Sequence, residues 1–185
     1  MSGASDSRAP PAVASRRQRT IAWLFDGKHD GYFVDLAAND PILYSNTRTL
    51  ERDYGWRGVC IDGNMAMLQK LVAQRTCTVV KGIVSRTSGA VVQFTNPEQS
   101  GTWEDAMGGI LSNATDNSKV RPGYAAQKWR AVSETTVTLV DILDRVQSPS
   151  LVDYLSLECA RRSSRAALHA LLSRCPRLAR HRAAA

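Results

Sequence analysis

The sequence predicts an α/β domain with a mainly parallel sheet. Three observations carry this. Short β-branched runs alternate with segments of helical apolar period from residue 31 to residue 158. The breaks between them hold Gly, Asn, Asp and Pro, the residues of turns and caps. The 185-residue length fits one domain with a sizeable core.

The first strand is Tyr32-Phe33-Val34-Asp35-Leu36, followed by a turn-like run from Ala37 to Pro41. A helix starts near Ser45 or Asn46, either of which can cap it, and ends at Gly55, a natural residue for a left-handed helix stop. The second strand is Gly58–Asp62. Asn64 then caps a helix with Leu68, Leu71 and Val72 on its apolar face. The third strand is Cys77–Val80, extending as far as Val84. Residues 90–95 form another short strand, and residues 96–131 read as a long irregular segment. Within it, Trp103, Tyr124 and Trp129 either line a pocket or anchor the loop to the core. Thr135–Leu139 reads as a strand. A helix follows at about 139–146, with Thr138 and Asp141 at capping-box spacing. Val152–Glu158 is the last strand.

Charge separates the chain into zones. Seven of its 24 Lys and Arg residues lie in residues 159–185, which contain no acid; the other 17 balance the 17 acids. The interior is therefore neutral, with no basic stripe, which argues against nucleic acid as the partner. A tail-mediated interaction with nucleic acid or an acidic surface is the remaining basic-partner reading. Residues 1–20 read as a disordered leader, an organellar transit peptide being the alternative. The Arg, Ala, Ser and Leu of residues 159–185 are what a GC-rich gene yields out of frame, so this tail is expected to carry no evolved role. The alternative is a basic amphipathic helix at about 164–173, with Leu168, Leu171 and Leu172 on one face. No apolar run reaches the ~20 residues of a membrane span. Cys60, Cys77, Cys159 and Cys175 lack zinc or redox spacing. Cys60 and Cys77 are expected as buried free thiols, which fits a reducing compartment and a soluble, cytoplasmic protein. The three His residues are too dispersed for a metal site.

In a parallel sheet, ligands bind outside the carboxyl ends of the strands, near the switch point. Asp35, Asp62 and Glu158 are the acids at or near three such ends. Asp62 lies 27 positions after Asp35, one βαβ step. A carboxylate there can accept two hydrogen bonds from a ribose diol. Each acid also has a structural reading: Asp35 can cap a turn, and Asp62 the following helix. A nicotinamide site is disfavoured because the first loop lacks G-x-G-x-x-G spacing.

The run from Gly31 to Pro41, then Ser45-Asn46-Thr47, Leu50-Glu51, Gly55–Gly58 and Val59–Asn64, followed by Leu71, Arg75 and Cys77, resembles FkbM-type methyltransferases. So do Thr136–Leu139, Asp141, Leu143 and Val152–Leu157. The resemblance covers about residues 31–84 and 134–158. It implies a Rossmann-like methyltransferase sheet, incomplete at the C-terminus, and a partial domain over residues 21–158. The implied cofactor is S-adenosylmethionine, and the implied reaction is methyl transfer, usually to a hydroxyl oxygen. Asp35, Ala37, Ala38 and Asn39 would form the first cofactor loop. Asp62 and Gly63 would lie at the ribose, and Gly82 and Ile83 near the adenine. Ser45 and Asn46 would face a small-molecule, glycan or lipid-type acceptor. Glu158 is the candidate general base by position. Two departures stand out. Ala37 and Ala38 occupy a loop where many methyltransferases have glycine. After Glu158 the chain reads Cys-Ala-Arg-Arg in place of the family's acidic run. The competing reading is a non-catalytic fragment whose fourth strand is an exposed edge.

Overall fold

The computed structural model describes residues 20–21, 23–43, 45–98, 108–110 and 128–157. Residues 1–19 of the expected leader, Trp103, Tyr124, Glu158 and the basic tail lie outside the described residues. Among the described residues the strands and helices are named in chain order. They are β1 (Tyr32–Leu36), α1 (Arg48–Tyr54), β2 (Arg57–Asp62), α2 (Met65–Gln74), β3 (Thr78–Lys81), β4 (Ile83–Val84), β5 (Val91–Pro97), β6 (Gly109–Ile110), β7 (Trp129–Val137), α3 (Leu139–Arg145) and β8 (Tyr154–Leu157).

The class is mixed α/β. One sheet has four strands in the order β3-β2-β1-β8, and every pairing in it is parallel. Parallel neighbours need crossovers, and α1 and α2 supply two of them. Side chains alternate across this sheet with period two. Val34, Leu36, Val59 and Ile61 point to one face, where Leu139, Ile142 and Leu143 of α3 cover them with Val152. Phe33 and Cys60 point to the other, under Leu50 of α1, Leu71 of α2, Trp56 and Ala38. Both faces are thus buried, which explains why β1 and β2 read as near-continuous apolar runs.

Local signals account for the helix ends. Asn64 accepts a hydrogen bond from the Ala66 amide, and Thr138 from the Asp141 amide. Gly55 ends α1 with φ +67°, a left-handed conformation that glycine adopts without a Cβ clash. The first residue of α1 is Arg48, two to three positions later than the caps expected from sequence. Thr47 precedes it with no side-chain cap. Ser45 does the capping from further out, its Oγ accepting from the Thr47 and Arg48 amides at 3.3 and 3.1 Å.

The second sheet, β4-β7-β5-β6, corrects three expectations. The third strand does not run unbroken to Val84. It stops at Lys81, and after Gly82 the chain pairs with β7, Ile83 opposite Thr136. The segment read as irregular from residue 96 contributes to a ribbon instead, β5 pairing antiparallel with β7 from Val91–Thr135 to Pro97–Trp129. β7 also ends at Val137, two residues short of the expected strand, because Thr138 already caps α3. Most of β7 is exposed or half-buried, so it carries little of the apolar periodicity that marks a strand in sequence.

A further correction concerns sulfur. Cys60 and Cys77 are not separate thiols. They form a disulfide, with Cα atoms 6.1 Å apart, that joins β2 to the residue preceding β3. Among the described residues no helix is long and apolar enough to cross a membrane.

Candidate functional site

The carboxyl ends of β1 and β2 come together through one carboxylate. Asp62 closes β2, and its Oδ2 accepts the Asn39 amide at 2.9 Å while its Oδ1 accepts the Asn64 amide at 2.8 Å. The Gly63 amide also donates to it. Asp62 thereby ties the loop after β1 to the turn after β2. Burial pushes its carboxyl above the ordinary aspartate range, and the Asn64, Asn39 and Gly63 amides pull part of the way back. A carboxylate has about four lone-pair sites, so the three amides leave room for a further donor.

The loop after β1 bends sharply. Ala37 has φ +58° and Asn39 φ +56°. Ala37 and Asn39 thus share the left-handed turn. Such a conformation costs alanine roughly 1–2 kcal/mol, so surrounding contacts must hold it. They do: Ala38 is buried, and its amide donates to the Ile61 carbonyl at 3.1 Å. Asn39 Oδ1 is buried with no hydrogen-bond partner among the described residues. A buried acceptor of this kind calls for a donor from outside the described protein. Ala37→Val should lower stability by about 1 kcal/mol beyond the alanine strain, because β-branching narrows the left-handed region further. Ala37→Gly should melt at or above the wild-type temperature. A valine variant as stable as the wild type in urea would show that the turn is not strained.

Asp35 points away from this edge. It is buried on the α1/α2 face, where Thr47 Oγ1 donates to its Oδ2 at 2.6 Å. Thr47 Oγ1 in turn accepts from Arg75 Nη2 at 2.9 Å. Arg75 also donates to Ser45 Oγ at 2.8 Å and, through Nε and Nη2, to Glu51 Oε2 at 3.0 and 2.8 Å. Asp35 and Ser45, read from sequence as ligand residues, thus belong to a buried polar network beneath the loop. Asn46 sits at the junction of β1 and β8, its Nδ2 donating to Ser156 Oγ at 3.2 Å. Ser156 is the register partner of Asp35.

Gly63 and Gly82 both lie against apolar side chains. A Cβ on Gly63 would stand 2.8 Å from Phe94 Cζ and 3.2 Å from Ile83 Cγ1. One on Gly82 would stand 2.9 Å from Ile142 Cδ1. Phe94 of β5 therefore reaches over the turn after β2, a contribution that periodicity could not reveal. Gly82 and Ile83 also border an open groove of about 500 Å³, shared with Lys81, Thr136, Val137 and Asp141. Lys81 is register partner to Asp62, so the groove begins one strand away from that carboxylate. Lys81 pairs with Glu134 at 2.6 Å across it, and Asp141 accepts from Ser88. The Ser88 hydrogen bond, more than any other cause, holds the Asp141 carboxyl below its usual range.

Sequence reasoning named Asp62, Asn39, Gly63, Gly82 and Ile83, and these lie together. It gave no role to Phe94 or Ser156, and the polar links through Thr47, Glu51 and Arg75 were equally unforeseen. Glu158 follows the last described residue of β8. Among the described residues no cluster of His, Cys, Asp or Glu could hold a metal ion. No protein-family model, curated protein or solved structure matches the chain.

Proposed function

We propose that the chain binds S-adenosylmethionine at the carboxyl edge of β1 and β2 and is a methyltransferase acting on an acceptor hydroxyl. The observation that carries this reading is the orphaned Asn39 Oδ1, a buried acceptor held beside the Asp62 carboxylate on a left-handed loop. The cofactor presents donors suited to both: an ammonium group and a ribose diol. Asp62 would hold the diol, Asn39 Oδ1 a second donor, and Gly82 and Ile83 would border the adenine. The strand order β3-β2-β1-β8 supports the Rossmann-like reading, because it matches the first half of a doubly wound sheet with its switch point between β1 and β8. Helices on both faces agree with it.

When bound, this cofactor supplies an electrophilic methyl group on a sulfonium. The protein's contribution is chiefly proximity and orientation. Asn46, bonded to Ser156 at the switch point, would position the acceptor, and Glu158 would take the hydroxyl proton. Exposed apolar side chains also follow the carboxyl ends of β1 and β2. Leu43, on the turn after β1, is 71% exposed, and Met65, at the start of α2, is 51% exposed. Asp40 Oδ1 fixes that first turn by accepting the Ile42 and Leu43 amides at 2.8 Å each. A glycan acceptor with a lipid or other apolar portion would suit this rim.

Calorimetric titration with S-adenosylmethionine tests the reading. The wild type should bind one equivalent. Asp62→Ala, shown folded by circular dichroism, should bind at least tenfold more weakly, since charged hydrogen bonds contribute about 1.5–3 kcal/mol each before water's share is subtracted. Affinity should also fall as pH drops through the raised titration range of Asp62, because the protonated carboxyl is a poorer acceptor. The stability contribution runs the other way. It is complete below the ordinary aspartate range and is lost as pH rises through the raised one. No heat of binding at neutral pH, or equal affinity in Asp62→Ala, would remove the cofactor from this site.

A further inference from the structure

We infer that the Cys60–Cys77 disulfide is a crosslink set during folding that locks the candidate site, so that the chain reaches its binding-competent form only where thiols are oxidised. The ring it closes spans residues 60–77. That ring carries Asp62, Gly63, the Asn64 cap, all of α2 and Arg75, and so holds both the carboxylate at the edge and the guanidinium of the buried network. Both cysteines lie in the apolar cluster that contains Ala38, the middle residue of the bent loop.

Burial decides what kind of disulfide this is. Cys60 is 0% exposed and Cys77 9%. With Cys60 closed to solvent and Cys77 nearly so, a soluble reductant or oxidant has little access, which places the bond with structural disulfides rather than with exposed, exchanging pairs. Its formation joins two thiols into one S–S bond and releases two protons and two electrons. With oxidised glutathione as acceptor, two exchange steps yield two glutathione thiols. Reduction reverses this inside a close-packed cluster. Two thiol sulfurs need nonbonded separation, about 3.5–4 Å for typical heavy atoms. Phe33, Leu71 and Leu50 share their cluster, and interiors pack as densely as organic crystals, so the separation disturbs close neighbours. We expect β2 and Cys77 to loosen from each other, and Asp62 and Arg75, each two residues from a cysteine, to loosen with them. Crosslinks of this kind persist in secretory, extracellular or periplasmic settings and are rare in reducing cytosol. This overturns the free-thiol basis for expecting a cytoplasmic protein.

The test uses the full chain produced in an oxidising compartment. Digestion without reductant, followed by mass mapping, should recover peptides of Cys60 and Cys77 linked to each other. Reduction and alkylation during a cycle of unfolding and refolding should lower the melting temperature by roughly 10 °C or more. The double variant Cys60→Ala/Cys77→Ala should melt near the reduced protein and show no further loss on reduction. Hydrogen exchange across residues 61–76 should accelerate in the reduced form. Its affinity for S-adenosylmethionine should fall at least tenfold; this arm alone rests on the proposed function. If neither form binds that cofactor but the melting shift is present, the crosslink stands and the cofactor reading fails. Free thiols at both positions, or a reduced wild type that melts with the oxidised one, overturns the inference even if the double variant does not fold.

Discussion

Arg75→Met should destabilise the protein by about 3–5 kcal/mol, the usual cost of removing one partner from a buried ion pair. The Arg75 side chain is 1% exposed and that of Glu51 9%. The guanidinium serves three oxygens at once: Glu51 Oε2, Ser45 Oγ and Thr47 Oγ1. It also lies 5.9 Å from the centroid of the Phe33 ring. Methionine fills similar volume but donates nothing. Glu51 keeps only the Thr76 amide and hydroxyl on its Oε1. Its other oxygen is left charged and desolvated, which is costlier than losing the whole pair. Thr47 also loses the donor that orients its hydroxyl, and the Thr47–Asp35 hydrogen bond weakens with it. Arg75→Lys should recover only part of the loss, because one ammonium cannot reproduce a planar fork. Urea denaturation measures both variants. A loss below 1 kcal/mol in Arg75→Met would mean that the network contributes little to the fold.

Gly58→Ala should cost about 3 kcal/mol or more, at or beyond the upper end for overpacking a core. Gly58 sits opposite Phe33 in the β1–β2 pairing. A Cβ there would stand 2.5 Å from the Phe33 carbonyl oxygen and 2.5 Å from its ring. The ring is fully buried and the oxygen is backbone, so neither can move aside without shifting β1. That shift propagates two ways. It stretches the parallel ladder, and it pulls Asn39 from Asp62, now linked at 2.9 Å. Gly109→Ala is the control, since nothing lies within 4 Å of its Cβ position, and it should be neutral within about 0.5 kcal/mol. Comparison of the two denaturation midpoints checks the result. Near-equal midpoints would show that β1 and β2 yield readily.

The sequence by itself determined the features that depend on near neighbours. Strand positions at β1, β2 and β8 follow from short runs rich in aromatic and aliphatic residues, and their parallel arrangement from the helices between them. Gly55, Asn64 and Thr138 act at helix ends because capping is settled within a few residues. The candidate edge was legible for the same reason, since Asn39, Asp62 and Gly63 are the residues immediately at strand ends. Tertiary structure alone decided the rest. Arg75 reads in sequence as an ordinary residue after a helix, yet it meets Ser45, Thr47 and Glu51 across 24–30 positions. Cys60 and Cys77 carry no spacing motif, and only the adjacency of β2 and β3 brings their sulfurs together. Gly82 sends the chain from one sheet to the other, and β7 pairs with β5 across some 40 residues, too exposed to leave a hydrophobic period. Local propensity is written residue by residue, whereas buried polar contacts and crosslinks exist only once distant segments have packed.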